Sequence, residues 1–539
     1  MDLVDLFMRE FQSRQLKRAD AWTIGLLLVL NTGAWIAILD VLNEIIRDKR
    51  ADFSGLQFLN FVASYLVFLV SGIVSRRKVI DLFEDLIFNI RYRLIEHMRQ
   101  MALKPFEEIG SATFHNIMTL DLRYISDIAE VLWYLLSAGV LMLGILLYMA
   151  SLSIPVFSVI LMVVILGFLG FFFIQSILTK EVDTTRNRED GLFSLIEGLL
   201  FGFKELKIDR RKQEDFFRKA IEPDILAVRD LRKKVGYIRG EATILAQIIW
   251  AVMLLFVVFV LPYLEMIDTD TLFAFITAIL LMPVVYFLND LNYMSFANIS
   301  VDRLFHFEEH LAASTPPVAP VPESAQSRRV TQLAYRDLSF DYTDEGGAVT
   351  FSVGPMDLTF TSGEITFIVG GNGSGKSTLL KLITGLYPAL TGTVTLDEEL
   401  VEQGEQTALF SCIFTDFHLF DRFYGLEGID EERVTELICL MGLDDKVSYQ
   451  ERGFSTLDLS TGQKKRLALI AAMLEDKPFY LFDEWAADQA PGFREYFYKT
   501  LLPDLKARNK LVICVTHDDN YYHLADRIYK LELGRLVPE

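Results

Sequence analysis

The sequence predicts two domains of different class, an N-terminal all-α transmembrane domain of six helices and a C-terminal soluble α/β domain. Six apolar runs, each close to the ~20 residues that a helix needs to cross a bilayer, all lie within the first 290 residues. Short apolar strands, glycine-rich turns and helical patterns occupy the second part. Charge also divides the chain, because residues 1–320 carry 31 basic and 37 acidic side chains, whereas residues 321–539 carry 21 and 35.

Composition narrows the class of protein further. The chain has 539 residues, of which 52% are hydrophobic and 42 are phenylalanine, which excludes a disordered or collagen-like chain and argues against an ordinary soluble enzyme. Its net charge of −20 is unfavourable for contact with phosphate backbones, so no nucleic-acid partner is predicted. The three cysteines, Cys412, Cys439 and Cys514, form no CxxC pair. Neither disulfides nor a zinc site are therefore predicted, which fits a reducing compartment. No cleavable signal peptide is predicted, because acidic residues precede the first apolar run.

The predicted membrane spans are, in order, roughly 21–42, 56–75, 129–150, 153–176, 242–264 and 270–290. The third and fourth spans form a hairpin, because only residues 151–153 separate them. The long polar connection 76–128 holds eight Lys and Arg residues and the connection 176–240 holds fifteen, whereas 251–300 holds none. Because cytoplasmic loops carry the excess of Lys and Arg, both connections and both termini are predicted to be cytoplasmic.

The two basic connections show the pattern of amphipathic helices that extend the spans into the cytosol. Each is predicted to turn through a short segment, near 106–115 and near 199–208, and to contact the soluble domain there. The predicted boundaries are a transmembrane domain over 21–310, a proline-rich linker over 311–327 and a soluble domain over 328–539. Residues 1–20 are predicted either as an amphipathic helix on the membrane surface or as a frayed terminus.

The first motif recognised in the soluble domain is a phosphate-binding loop. The short apolar strand 364–369 runs into a segment that fits the pattern GxxxxGK[ST] and then into a helix. Glycines let backbone N–H groups form an anion-binding nest, and the helix N-terminus adds a positive dipole. The residues predicted to bind ATP here are Gly370, Gly371, Asn372, Gly373, Ser374, Gly375, Lys376, Ser377 and Thr378. Lys376 is predicted to bridge the outer phosphates and Ser377 to hold Mg²⁺.

Two carboxylates follow a second apolar strand, 479–482. Asp483 suits the coordination of a metal ion, and Glu484 suits the role of a base that activates or orients water. An Asp-Glu pair is common by itself and usually only begins a loop. The preceding phosphate-binding loop makes the catalytic interpretation the better one.

At this point the residues resemble a known family. The run Leu459, Ser460, Thr461, Gly462 and Gln463 resembles the signature sequence of ATP-binding cassette (ABC) proteins, and it ends 20 residues before Asp483. A helix over 464–474 is predicted to follow this run. His517, at the end of strand 511–515, resembles the switch histidine of that family. Tyr342 stands where the family places the aromatic ring that stacks on adenine.

The resemblance covers the whole chain and implies an exporter-type ABC half-transporter, with a six-helix transmembrane domain before a P-loop nucleotide-binding domain. It implies a homodimer in which the signature sequence of one subunit closes over the ATP and Mg²⁺ held by the other. The strings FTDFHLFDR, LSTGQKKRLAL and DEWAADQ resemble a bacterial cyclic-peptide and siderophore export group, which includes pyoverdine and syringomycin exporters. That group implies a multi-pass protein of the bacterial inner membrane and a peptide-like or siderophore-like cargo.

Two positions depart from the family pattern. Thr415 stands where common ABC proteins carry Gln, and either Thr415 or Asp416 is predicted to replace it as a contact to Mg²⁺ or water. Ala490 stands where the family carries an aspartate in the loop between subunits, and the nearest carboxylate is Asp488. The change at Thr415 is expected to alter coupling to the membrane helices. The change at Ala490 is expected to alter communication between the two ATP sites.

The transmembrane domain does not name the cargo. Polar residues within spans usually face a cavity or a partner, and the candidates are Asn31, Asp40, Asn60, Gln247, Asn289 and Asp290. Three functions of different class stay open. They are export of a peptide-like or siderophore-like compound, a lipid flippase, and a non-transporting ABC protein that gates or signals to a partner.

Overall fold

The computed structural model describes residues 18–48, 54–280, 300–311 and 330–537, apart from the single positions 345, 427 and 451. Three sequence predictions therefore fall wholly or largely outside the described residues: the interfacial helix over 1–20, the linker over 311–327, and the end of the sixth span with Asn289 and Asp290. The chain divides into two compact units. The first comprises Met1–Arg99 and Ile109–Ala313, and the second comprises Gln100–Glu108 and Ser314–Glu539.

The first unit is helical throughout its described residues, apart from short turns. The α-helices described up to residue 280 are α1 Arg18–Asp48, α2 Gly55–Gln100, α3 Leu103–Ile109 (mostly in the second unit), α4 Ser111–Asn116, α5 Leu122–Leu152, α6 Ile154–Phe201, α7 Phe203–Ile208, α8 Arg210–Phe216, α9 Glu222–Leu255, α10 Leu261–Tyr263 and α11 Thr269–Leu280. Residues 300–311 form a further helix. Single π-helical turns join α4 to α5, α8 to α9 and α9 to α10, at Ile117–Asp121, Phe217–Ile221 and Phe256–Val260.

Four helices in the described part of the chain are long and apolar enough to cross a membrane: Ala19–Ile46, Gly55–Gln100, Ile125–Leu152 and Arg210–Tyr263. They contain the first, second, third and fifth predicted spans. The fourth predicted span lies on α6, where the apolar helix Ile154–Gly170 is shorter. The sixth begins in α11. Only Ser153 separates α5 from α6, as the sequence predicts for a hairpin.

A six-stranded sheet forms the centre of the second unit, with the strand order β12-β11-β3-β10-β9-β6. All neighbours are parallel except β11 and β12. The strands are β3 Ile365–Val369, β6 Phe410–Ile413, β9 Phe479–Asp483, β10 Leu511–Val515, β11 Arg527–Glu532 and β12 Arg535–Val537. Every residue of β3, β9 and β10 is buried, because a parallel sheet is covered on both faces.

A four-stranded antiparallel sheet of order β2-β1-β4-β5 lies in the same unit, and β7 pairs with β8. These strands are β1 Gln332–Thr343, β2 Val349–Thr361, β4 Thr391–Leu396, β5 Glu399–Val401, β7 Tyr449–Gln450 and β8 Gly453–Phe454. The α-helices of this part are α12 Lys376–Ile383, α13 Glu431–Leu440, α14 Thr461–Glu475, α15 Pro491–Tyr496 and α16 Leu502–Ala507. A π-helical turn, Phe497–Leu501, joins α15 to α16.

Two hydrophobic cores cover the two faces of the central sheet. Because side chains alternate along a strand, Tyr480 and Phe482 of β9 join one core, which also contains residues of α13, α14 and α16. Phe479 and Leu481 join the other core, with residues of β1, β2 and α12. The carboxyl ends of β3, β9 and β10 therefore meet at one edge, which is where ligands bind in open α/β sheets.

Candidate nucleotide site

The phosphate-binding loop leaves the buried strand β3 and ends where α12 begins at Lys376. Gly370 is required there, because a Cβ atom would lie 2.3 Å from the carbonyl oxygen of Leu531. Gly375, the N-cap of α12, has φ +99°, which side chains other than glycine rarely permit. The loop thus keeps the tight path that points backbone N–H groups inward.

Two polar groups of the loop fit an anion. The Lys376 ammonium is largely buried and donates to the carbonyl oxygens of Gly370 and Gly371 at 2.9 and 3.0 Å, so it lies across its own loop. The buried hydroxyl of Ser374 has no hydrogen-bond partner among the described residues. Ser377, by contrast, is exposed beside them at the start of α12. A phosphate in this cradle would satisfy Ser374 and pair with Lys376.

The aromatic ring of Tyr342 lies at the end of β1, next to the loop helix. Its hydroxyl is 3.2 Å from the hydroxyl of Thr378. The ring packs edge-on against Phe340 at 5.1 Å and is tilted against Phe351 at 6.5 Å. The structure therefore brings Tyr342 to the phosphate loop, as an adenine-stacking role requires.

The adjacent carboxylates have different surroundings. Asp483 is buried and accepts hydrogen bonds from the hydroxyl and the backbone N–H of Thr415, at 2.9 and 3.3 Å. Burial raises the pKa of the Asp483 carboxyl, and the charge of Glu484 adds to this shift, whereas the bonds from Thr415 oppose it. A cation would relieve this buried charge. Of the two predicted replacements for the family Gln, Thr415 makes this contact, and Asp416 is exposed.

Glu484 and His517 lie at the ends of the neighbouring strands β9 and β10. The Nε2 atom of His517 is 3.1 Å from Oε1 of Glu484. Both side chains are partly exposed, His517 at 47% and Glu484 at 33%, so water reaches the Glu484 carboxylate. This pair, an accessible carboxylate oriented by an imidazole, can bind and activate a water molecule.

The signature sequence begins α14. Ser460 and Gln463 form a capping box, in which Gln463 Oε1 accepts from the Ser460 N–H at 2.9 Å and Ser460 Oγ accepts from the Gln463 N–H at 3.4 Å. The helix therefore starts at Thr461, three residues before the position predicted from the sequence. Among the described residues, no hydrogen bond or ion pair joins this turn to the phosphate loop of the same chain. Within one subunit, the strand ends bring the phosphate loop, Asp483 with Thr415, Glu484 and His517 to one edge of the sheet.

The structure also shows site residues that the sequence reasoning missed. The Lys465 ammonium contacts the carbonyl oxygen of Glu484 and the carboxylate of Asp488. A sequence signal for it exists, because Lys465 shares a helix face with the buried Leu469 and Ala472. Ala490, which departs from the family pattern in the loop between subunits, is the N-cap of α15.

Part of the first basic connection, residues 100–108, belongs to the second unit. Glu107 of α3 accepts a hydrogen bond from Lys381 of α12 at 2.8 Å and another from the hydroxyl of Tyr387. Burial alone would raise the pKa of Glu107, but these hydrogen bonds outweigh it and hold the pKa below its usual value. Lys104 also lies over the ring of Phe340 at 4.9 Å. The predicted contact between this connection and the soluble domain is therefore present.

Helices apolar enough to span a membrane, a P-loop α/β unit and a signature helix together define an ABC transporter. Residues 353–487 match the family model described as ABC transporter. The chain belongs to this family as an exporter-type half-transporter, with one transmembrane domain and one nucleotide-binding domain, and its ATPase activity is coupled to transport.

Individual relatives match nearly the whole chain. The ATP-binding protein SyrD of Pseudomonas syringae pv. syringae is 34% identical over 535 residues, which cover 94% of this chain and 92% of SyrD. The ATP-dependent lipid A-core flippase of Wigglesworthia glossinidia brevipalpis is 22% identical over 498 residues, covering 88% and 82%. The solved structure of a bacterial Atm1-family ABC exporter with ATP bound superposes with a TM-score of 0.73 at 16% identity, over 97% of this chain and 94% of that chain. The exporter fold predicted from the sequence is confirmed.

Proposed function

We propose that the protein is a homodimeric exporter of the bacterial inner membrane, which uses Mg²⁺-ATP to move a peptide-like or siderophore-like compound out of the cytoplasm. The observation that carries the hydrolytic part is the 3.1 Å contact between His517 and Glu484 beside an intact phosphate loop. The cargo class is supported by the full-length similarity to SyrD and by the sequence strings that resemble the peptide and siderophore export group.

Each residue of the site takes a role that its position supports. Tyr342 stacks on adenine, and the backbone of Gly370–Thr378 with the Lys376 ammonium binds the phosphates. Ser377 and Asp483 would hold Mg²⁺, which would supply charge neutralisation at the phosphate oxygens.

The remaining roles complete one ATP site from two subunits. Glu484 accepts a proton from the attacking water, and His517 holds the Glu484 carboxylate in position. Leu459–Gln463 of the second subunit closes over the nucleotide with the N–H groups of its helix N-terminus. In this proposal the dimer is essential, since the signature turn that closes each ATP site comes from the second subunit.

A lipid flippase is the second candidate function. It is favoured by the similarity to the lipid A-core flippase over most of both chains, although the identity of 22% is lower than to SyrD. A non-transporting ABC protein that gates or signals to a partner is less favoured, because Lys376, Glu484 and His517 are all in place.

Steady-state ATPase activity of the full chain in lipid nanodiscs tests the proposal. Glu484→Gln is expected to lower kcat by about a hundredfold or more and to retain ATP in a closed dimer, because the base is lost while binding is kept. Lys376→Ala is expected to abolish turnover by weakening ATP binding. Normal turnover in Glu484→Gln would refute the assignment of the base.

Cargo is tested in the same nanodiscs by adding cyclic peptides, siderophores or lipids to the wild type. Stimulation by peptide or siderophore, absent in Glu484→Gln, supports export of that class. Stimulation by lipid alone would instead favour the flippase. Activity that responds to none of them would favour a gating or signalling role.

A further inference from the structure

The signature helix α14 carries a buried cation, Lys465, that contacts the backbone of Glu484. The side chain of Lys465, on α14, is 1% exposed. Its ammonium donates to the carbonyl oxygen of Glu484 at 2.9 Å and pairs with Oδ2 of Asp488 at 2.8 Å. A charge in such a site is strongly unfavourable unless it is paired and hydrogen-bonded, so these two contacts hold the side chain in one arrangement.

The first turn of α14 packs tightly on the segment that follows Glu484. The indole N–H of Trp485 donates to the carbonyl oxygen of Lys465 at 2.9 Å, and the Gln489 side-chain amide donates to the carbonyl oxygen of Gly462 at 3.0 Å. A Cβ atom at Gly462 would lie 2.5 Å from the carbonyl oxygen of Asp488. Lys465 is therefore the charged centre of a contact that joins the signature turn to residues 484–489.

The backbone of Glu484 explains why that contact matters for chemistry. Glu484 has φ +48°, in the left-handed region that residues other than glycine seldom adopt. Its N–H donates to the carbonyl oxygen of Val515 at 3.2 Å, and its own carbonyl oxygen accepts from Lys465. Both peptide groups of Glu484 are thus fixed, and its side chain can reach His517.

We propose that Lys465 is a positioning residue for ATP hydrolysis, because its ammonium fixes the backbone of Glu484 and so aims the Glu484 carboxylate at the attacking water. Asp488 pairs with this ammonium at 2.8 Å and holds it in place. The inference rests on the proposed role of Glu484 as the base. It also gives the signature turn a direct mechanical tie to the base of the same subunit.

A second lysine provides a matched control. The Lys510 side chain is 14% exposed and donates to the carbonyl oxygens of Asp476 and Lys477, at 2.7 and 3.0 Å. It also pairs with the Asp476 carboxylate at 3.0 Å. The contacts resemble those of Lys465, but they lie before β9 and β10, at the edge of the sheet opposite to Glu484. Replacing Lys510 therefore reports the structural cost of losing such a cation.

The experiment measures ATPase kinetics and thermal unfolding of the full chain in nanodiscs. Lys465→Met is expected to lower kcat by at least about tenfold, with KM for ATP changed by less than about twofold, because misplacing a base slows chemistry without weakening substrate binding. Lys510→Met is expected to lower the unfolding temperature while leaving kcat near that of the wild type. Lys465→Gln keeps one donor for the Glu484 carbonyl and is expected to recover part of the lost kcat.

The outcomes separate this proposal from the assignment of the base. Normal kcat in Lys465→Met, or losses equal to those in Lys510→Met, would overturn the positioning role even where Glu484→Gln is inactive. Equal kcat in Lys465→Met and Lys465→Gln would overturn it as well. Normal turnover in Glu484→Gln would remove the base itself, and the role of Lys465 with it. A loss of kcat confined to the Lys465 variants and partly restored by Gln supports it.

Discussion

Asp483 and Glu484 are adjacent in the chain, yet their surroundings favour different roles. Asp483 is buried and bonded to Thr415, which suits a residue that meets a cation. Glu484 is partly exposed and lies against His517, which suits a residue that meets water. The difference arises because β9 ends at Asp483, whereas the backbone of Glu484 turns into the left-handed region and carries its side chain away. Two carboxylates with separate environments are a common basis for divided chemical roles.

A substitution at Thr415 tests whether its hydroxyl group helps Asp483 to meet a cation. Thr415→Val keeps the shape of the side chain and the backbone N–H but removes the hydroxyl that donates to Asp483. A hydrogen bond to a charged group contributes about 1.5–3 kcal/mol, so ATPase activity at saturating ATP and limiting Mg²⁺ is expected to fall about tenfold. Titrations of activity against Mg²⁺ check this expectation.

Thr415→Ser is the control for the Thr415 prediction, because it retains the donor and loses only a methyl group. Its Mg²⁺ dependence is expected to follow that of the wild type. If Thr415→Val also followed the wild type, the hydroxyl would have no part in holding Asp483, and a different residue would have to replace the family Gln.

At the scale of elements, α3 carries the charged contacts that the first basic connection makes with the nucleotide-binding domain. Leu103 of this short helix packs beside the core that includes residues of β1 and α12. Glu107 contacts Lys381 and Tyr387, and the next residue but two, Gly110, has φ +80°, where the helix has ended. The direction change at Gly110 therefore lies within the predicted turn 106–115, and the acidic end of α3 contacts α12.

Glu107→Gln is expected to destabilise the protein by about 1 kcal/mol or less at neutral pH, because the carboxylate is about one-third exposed and solvent screens its pairing with Lys381. The pKa of Glu107 is lowered by folding, so its stabilising contribution is present above the unfolded value of about 4.3 and is lost as pH falls through the folded value. The difference between wild type and variant should be constant from pH 5 to 8, should begin to shrink as pH falls below about 4.3, and should be lost once pH has fallen through the lowered folded pKa.

Thermal unfolding of both proteins in nanodiscs across this pH range measures the effect. Glu108→Gln is the matched control, since the neighbouring Glu108 side chain is 66% exposed and its nearest cation, Lys104, is 3.8 Å away. An equal loss of stability in both variants would show that charge on α3, rather than the contact with Lys381, is responsible.

Strand and helix order at the site was predictable because each motif contains its own local signals. A buried apolar strand before glycines predicts the phosphate loop, and strand ends at Asp483 and His517 predict their meeting at one edge. The start of α14 was predicted three residues late, because the capping box of Ser460 and Gln463 was not recognised.

Lys465 could not be assigned a role from the sequence, for a physical reason. One of its partners is the backbone carbonyl of Glu484, 19 positions later, and a carbonyl group has no sequence signature. Its other partner, Asp488, is a carboxylate among many in an acidic domain. Only the close packing of α14 on residues 484–489 reveals the pairing.

At the scale of the whole molecule, the distribution of charge and of apolar helices predicts one orientation in the membrane. Fifteen Lys and Arg residues lie within 176–240 and none within 251–300, so the basic connections and the nucleotide-binding domain are expected in the cytoplasm. The turn at Ser153, which separates α5 from α6, is expected on the opposite side. A cytoplasmic nucleotide-binding domain is also what ATP from the cell requires.

Native cysteines allow this orientation to be measured. Cys439 is exposed, Cys412 is partly buried and Cys514 is buried, so in a Cys412→Ser background a membrane-impermeant maleimide should react chiefly with Cys439. Labelling is expected in inside-out vesicles but not in intact spheroplasts. A Ser151→Cys variant that also carries Cys439→Ser should give the reverse pattern, because residue 151 is exposed at the end of α5. Labelling of Cys439 in intact spheroplasts would contradict the orientation, since the basic connections would then lie outside.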